Sequence, residues 1–144
     1  MEHEAHVFFA VFEFGQDLDV VTKLAGVAPN ESWVTGQQKE KHPHLTHRHS
    51  KWTIKSPLPL NAEVEDHLDA LLSVMELHAA GIKAVSQRFP SEICCALYFH
   101  GCTPGFHLPN KLISRAAVFG LDVDFDLYCL GEEGERQARD SERS

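Results

Sequence analysis

The sequence predicts an α+β fold with a single, mostly antiparallel sheet of about five strands and three helices, ordered β-α-β-β-α-β-α-β. This is a ferredoxin-like arrangement with an extension. Two segments, residues 6–14 and 93–99, are apolar on both faces, as is typical of strands in the middle of a covered sheet. A long helical pattern between them is expected to pack across one face of that sheet.

The first half of the chain supplies three predicted strands and one short helix. In order, they are a strand over residues 6–14, a helix from an N-cap at Asp17 to a stop at Gly26, a strand over residues 32–35, and a strand over residues 51–55. The last two strands are expected to pair. Between them, residues 36–50 are polar and have no period, so we expect a mobile loop.

The second half contains the longest predicted helix. It begins at an N-cap at Asn61 and continues to about Arg88, because apolar residues recur there at three- and four-residue steps. Gly81 either bends this helix or lets it approach the sheet closely.

Three more elements are predicted after the strand over residues 93–99. A type II turn is expected at residues 103–106, a helix from Pro109 to Gly120, and a strand over residues 121–130. In that last strand, alternate residues are expected to face the core, and these are Leu121, Val123, Phe125, Leu127 and Cys129.

Length and composition set further expectations. The 144 residues fit one domain over residues 1–130, followed by a polar tail over residues 131–144 that we expect to be disordered. A formal net charge of −8 argues against nucleic acid as a partner. The chain shows neither a signal peptide nor a membrane-spanning stretch, so a cytoplasmic location is expected. No cofactor is expected. The four cysteines, none of which forms a CxxC pair, are expected to be reduced and buried.

Six segments of the chain, taken in order, carry a family resemblance: residues 8–11, Glu31–Gly36, Trp52, Ala96–Phe99, Thr103–Leu108 and Gly120–Tyr128. In these segments the chain resembles a family of small, mainly bacterial domains known as domain of unknown function 4279. Two features depart from the family pattern. They are Pro109 and the histidine-rich segment over residues 42–49. The resemblance supports the fold and implies no catalytic residues, since the family has no assigned activity.

Three sets of residues are candidates for a functional site. An acid/base set combines Glu13, Tyr98, His100 and His107, which would converge if the two central strands are neighbours. Trp33 and Trp52, on neighbouring strands, are candidates for an exposed aromatic contact, although both rings closing one end of the core is the alternative. Asp122, Asp124 and Asp126 share one strand face, where they either line a cation or form a solvated surface.

His42, His44, His47 and His49 lie within eight residues and are candidate metal ligands. Their HxH spacing in a polar loop does not by itself form a tetrahedral site.

The sequence therefore favours a non-enzymatic interaction or ligand-binding module, with an unknown protein or small ligand as partner and a homodimer left open. The alternatives are a small enzyme using the acid/base set and a metal-binding protein using the histidines.

Overall fold

The computed structural model describes residues 3–101 and 105–131. Its strands are β1 (Glu4–Phe12), β2 (Glu31–Trp33), β3 (Lys51–Lys55), β4 (Ser91–His100) and β5 (Val123–Leu130). Its helices are α1 (Leu18–Ala25), α2 (Val64–Leu77), α3 (Ala79–Arg88) and α4 (Asn110–Val118). Part of the turn predicted at residues 103–106 lies outside the described residues. The predicted tail lies outside them from residue 132 onward.

The five strands form one mixed sheet in the order β2-β3-β1-β4-β5. Three of the four pairings are antiparallel, and β4 is parallel to β5. The α+β class, the interior position of the first and fourth strands, and the pairing of β2 with β3 are confirmed. The ferredoxin-like arrangement is not confirmed. The chain passes from β4 through α4 to β5, and a crossover of this kind returns the strand in the same direction.

All four helices pack on one face of the sheet. A single hydrophobic core joins them to alternate residues of the inner strands, including Val7, Phe9, Ile54, Ile93 and Cys95. We call the opposite face, which no helix of the described chain covers, the open sheet face. It is formed by the other alternate residues, which include His6, Phe8, Phe12, Trp33, Lys51, Tyr98, Asp124, Asp126 and Tyr128.

None of α1 to α4 combines the length and apolar character that crossing a membrane requires.

The single long helix expected from Asn61 to Arg88 is instead two helices. α2 begins after an N-cap at Glu63, and His78, at φ −125° and ψ 35°, separates it from α3. The apolar period continues through this break, so the pattern could not reveal it. The two helices bury their apolar faces against different partners, because α2 contacts β1 and α4 whereas α3 contacts α1.

Gly81 brings α3 close to α1. A Cβ at this position would overlap the carbonyl oxygen of Ala25, the last residue of α1, and would come within 2.5 Å of its carbonyl carbon. The close approach predicted for Gly81 therefore exists, but its partner is a helix and not the sheet. The bend lies three residues earlier, at His78.

The second half of β5 is not covered as its first half is. Val123 and Phe125 pack against the core as expected, but Leu127 is 49% exposed and Cys129 is also exposed. The expectation that both face the core is wrong, because within the described residues only Val123 and Phe125 of this strand pack against the core cluster.

The core encloses an ionisable residue, His67. Its side chain on α2 is 1% exposed, and its Nδ1 shares a 2.7 Å hydrogen bond with the Ser56 hydroxyl. Its Nε2 is buried and has no hydrogen-bond partner among the described residues. The carbonyl oxygens of Pro59 and Leu60 lie near the ring and favour its protonated form, but both already accept backbone hydrogen bonds. Burial outweighs them and lowers the pKa of the imidazole below its usual 6.5.

Replacing Gly81 with alanine should destabilise the protein. Alanine is the better helix former by about 1 kcal/mol, but the added methyl group meets the backbone of α1, which cannot move aside as a side chain would. We expect a net loss of about 2 kcal/mol in the free energy of unfolding, measured with urea. The control is Gly131→Ala, where a Cβ meets no atom within 4 Å. An unchanged or higher stability of Gly81→Ala would show that the two helices are not held this closely.

The stability of the protein should fall as the pH drops below about 6.5, and His67 should account for part of that fall. Because its folded-state pKa is lowered, the unfolded chain binds the proton more readily, and each step toward acid favours unfolding. Urea unfolding at pH 7.5 and pH 5.5 should show a smaller difference for His67→Gln than for the unchanged protein. The exposed His44→Gln should leave the difference unchanged. Equal differences in all three proteins would contradict a neutral, buried His67.

Candidate functional site

Toward its β5 edge, the open sheet face carries a pair of stacked tyrosines. Tyr98 on β4 and Tyr128 on β5 are partners in the parallel register, and their ring centroids are 4.8 Å apart with planes tilted by 15°. The His6 ring meets Tyr98 edge-on at 5.5 Å. These half-buried rings offer apolar surface and polar atoms together, a combination that is frequent at protein interfaces.

A row of carboxylates borders the tyrosines. Asp122, Asp124 and Asp126 are exposed, and the register places Asp124 beside Cys94 and Asp126 beside Ala96. None of the three forms an ion pair within the described residues. Neighbouring carboxylates on one strand face are about 7 Å apart. The edge of the open sheet face along β5 is therefore acidic.

The two adjacent cysteines of β4 are free and buried, as the sequence predicts. Burial is the main cause of a raised pKa at both thiols, and it brings the pKa of Cys95 to about 12. The Cys94 thiol also donates a 3.3 Å hydrogen bond to the Glu92 carboxylate. Neither side chain is suited to act as a thiolate nucleophile. Cys102 lies outside the described residues.

The acid/base set is not assembled as a whole, because Glu13 lies far from Tyr98 and His100, which share the open sheet face as predicted. β1 and β4 are neighbours as predicted, but they are antiparallel, and Tyr98 lies opposite Glu4 at the start of β1. Glu13 follows the other end of β1, nine residues and so about 30 Å away. His100 is paired in register with Leu130 on the open sheet face, and His107 lies in the exposed segment before α4.

Trp33 and Trp52 lie on opposite faces of the sheet. Trp52 is fully buried in the core, and its indole N–H donates a 3.0 Å hydrogen bond to the Thr22 hydroxyl of α1. Trp33 is half-buried on the open sheet face, and its indole N–H donates to the carbonyl oxygen of His49. Because Trp33 is paired with Lys51 and not with Trp52, only one of the two rings is available for an exposed contact.

The segment expected to be a mobile loop forms a hairpin. Gln38 and Thr46 form a β-bridge, and the backbone N–H of Gly36 donates to the His47 carbonyl oxygen over 2.8 Å. These bonds are between backbone groups, so the polar side chains gave no sign of them. The hairpin turns back toward the sheet, where the His47 ring stacks on Trp33 at 4.1 Å.

The hairpin histidines do not assemble a metal centre in the described chain. His42 and His44 meet edge-on at 6.0 Å, whereas His47 is occupied by Trp33. Within residues 3–101 and 105–131, no group of three or more His, Cys, Asp or Glu side chains is arranged to hold a metal ion.

A cavity of about 320 Å³ lies between the hairpin and the open sheet face. We call it the hairpin pocket. Its lining residues are Phe12, Trp33, Lys39, Leu45, Thr46, His47, Arg48, His49, Ser50 and Lys51. Among the described residues that line the pocket, three side chains are cationic, two are histidines and none is a carboxylate. The pocket is therefore a locally basic region of a chain whose net charge is −8.

The cations of the hairpin pocket affect His47. Burial lowers the pKa of the His47 imidazole, and the positive charges of Lys39 and Lys51 lower it further, against the opposing effect of Glu31. Glu31 is itself paired with Lys55 at 2.8 Å. The Lys51 ammonium lies 4.7 Å from the centre of the Phe8 ring and 5.6 Å from that of Trp33. Aromatic faces therefore hold it in place without neutralising its charge.

Sequence reasoning missed the hairpin pocket. The sequence indicates Trp33 as a partner contact, and His47 and His49 as metal ligands, but not as parts of one pocket. Lys39, Arg48 and Lys51 carry no motif, and only the return of the hairpin onto the sheet brings them together. A net charge summed over the chain concealed this local excess of cations.

Comparison with known protein families matches residues 3–130 to the family described as Domain of unknown function (DUF4279). This bears out the resemblance drawn from the sequence. No curated protein and no solved structure matches the chain.

Thiol labelling should distinguish the three cysteines that the structure describes. In a Cys102→Ser background at pH 8, we expect Ellman's reagent to react rapidly with one thiol, the exposed Cys129. The other two should react only after guanidinium unfolding, because burial keeps Cys94 and Cys95 protonated and inaccessible. Rapid reaction of two or more thiols in the folded protein would contradict the burial of β4.

Proposed function

The chain belongs to the domain of unknown function 4279 family, and since membership supplies no activity, we propose from its geometry that it is a non-enzymatic module that binds a protein segment rich in basic residues. The binding surface is the open sheet face. The observation that carries the proposal is that one face of the sheet holds all four helices, while the other presents a tyrosine pair beside a row of carboxylates that forms no ion pair in the part of the chain that the structure describes.

The composition of the open sheet face supports this role. Ala10, Thr53 and Cys94 are small residues on this face that are almost fully buried by their larger neighbours. Aromatic rings and carboxylates therefore form much of what remains accessible. An aromatic contact area with a charged border is typical of protein interfaces, in which a few large side chains supply most of the binding energy.

The charges select the kind of partner. Lysine or arginine side chains of a bound segment would pair with Asp122, Asp124 and Asp126, and they would also fit against the faces of Tyr98 and Tyr128. The net charge of −8 would attract such a segment from a distance and raise its association rate. An acidic segment would instead meet like charge along the whole of β5.

Two features favour binding over catalysis. Glu13 lies at the opposite end of the sheet from Tyr98 and His100, so the acid/base set has no common centre. The buried thiols of Cys94 and Cys95 are held protonated. The remaining chemistry of the open sheet face, carboxylates beside phenol rings, is suited to recognition.

Selection of peptides from a random display library, with the purified protein as bait, tests the proposal. The selected peptides should be enriched in lysine and arginine alongside aromatic or aliphatic residues. A synthetic peptide of the consensus sequence should bind at least tenfold more weakly to Asp124→Lys and to Tyr128→Ala, measured by calorimetry.

The matched control is Asp19→Lys, which makes the same change of charge at an exposed position of α1, on the helix side of the sheet. It should bind the consensus peptide as the unchanged protein does. The proposal is wrong if the selected peptides are not basic, or if Asp19→Lys and Asp124→Lys weaken binding equally. A stable dimer whose formation is abolished by Asp124→Lys would show that a second copy occupies this face instead.

A further inference from the structure

The hairpin pocket contains a cluster of cationic side chains. Lys39, Arg48 and Lys51 line one cavity, and none of them forms an ion pair among the residues that the structure describes. Holding like charges around a cavity raises the energy of the folded state. The Glu31 carboxylate, which acts electrostatically on His47, is already paired with Lys55.

The shape of the pocket allows several of these groups to reach one ligand. Lys39 and Arg48 come from the hairpin and Lys51 is the first residue of β3, and all three line the same cavity. The stacked rings of Trp33 and His47 form a wall, which the indole N–H fixes by its 3.0 Å hydrogen bond to the backbone of the hairpin. The cations are therefore presented by an ordered frame, which lowers the entropic cost of binding.

We propose that the hairpin pocket binds a small oxyanion, either a phosphate group or a carboxylate, through Lys39, Arg48 and Lys51. Charge-assisted hydrogen bonds to such an anion would satisfy the guanidinium and ammonium groups together. The volume of about 320 Å³ admits a small molecule. An extended nucleic acid backbone is disfavoured, because the remainder of the chain is acidic. This goes beyond binding of a basic segment, which uses the opposite edge of the same face.

Binding of an anion should carry a signature at His47. In the empty pocket, Lys39 and Lys51 oppose protonation of its ring, and His49 and Arg48 also line the cavity. An anion would offset these charges and attract a proton to the imidazole, so binding should be tighter at pH 6 than at pH 8 and should take up a proton.

Titration of the ¹⁵N-labelled protein with sulfate and, separately, with succinate at constant ionic strength tests the proposal. Sulfate replaces a phosphate group as the probe because its charge does not change between pH 6 and pH 8. Succinate is the carboxylate probe. At least one of them should cause saturable shifts of the hairpin amides and of the Trp33 indole N–H. Arg48→Gln and Lys51→Gln should each weaken binding about tenfold.

The matched control is Lys41→Gln, which removes a charge from the same hairpin but not from the pocket lining. It should leave the affinity within about twofold. His47→Gln should abolish proton uptake, measured by calorimetry in two buffers with different ionisation enthalpies, whereas His42→Gln should retain it.

Three outcomes would overturn the proposal. They are the absence of saturable shifts with both anions, equal loss of affinity in Lys41→Gln and Lys51→Gln, and identical shifts with sodium chloride at matched ionic strength. If Lys51→Gln does not fold, the exposed Arg48→Gln decides the same question. Anion binding that survives in Asp124→Lys would separate this site from the one proposed for a basic segment.

Discussion

The antiparallel pairing of β1 with β4 is the constraint on which the positions of the other elements depend. Eight residues of each strand are in register, from Glu4 opposite Tyr98 to Val11 opposite Ser91. This register places the apolar alternate residues of both strands on the same face, where the helices cover them. It also decides which side chains can meet, because the start of one strand lies beside the end of the other. Tyr98 is therefore far from Glu13, although their strands are in contact.

Close packing between the helices depends on small groups at particular points. The absence of a side chain at Gly81 allows the backbones of α3 and α1 to touch, and the break at His78 lets α3 turn toward that partner while α2 remains on β1. Helices joined by one residue can thus bury their apolar faces against different elements. The four helices form a continuous layer over one face of the sheet, and no helix of the described chain covers the other face.

Charge on the open sheet face is separated in a way that the net charge does not reveal. Its β5 edge carries Asp122, Asp124 and Asp126, whereas the opposite edge carries Lys51 and the cations of the hairpin. Each group of like charges is costly without a counter-ion, and their separation across the sheet keeps them from neutralising each other within one molecule. The two binding sites that we propose therefore lie at opposite edges of the same face.

The sequence by itself determined the elements whose signals are local. The apolar runs gave β1 and β4, the alternation gave the start of β5, and Gly26 ended α1 in the left-handed conformation at φ 73°. It could not give the direction of β5 relative to β4, the break at His78, or the exposure of Leu127, since each depends on what another element covers. The tertiary structure alone decided that Trp33 and Trp52 face opposite ways, that His67 is enclosed, and that Lys39, Arg48 and Lys51 share one cavity. A charged side chain has no period and no fixed partner in the sequence, so only the folded backbone determines which of its neighbours it meets.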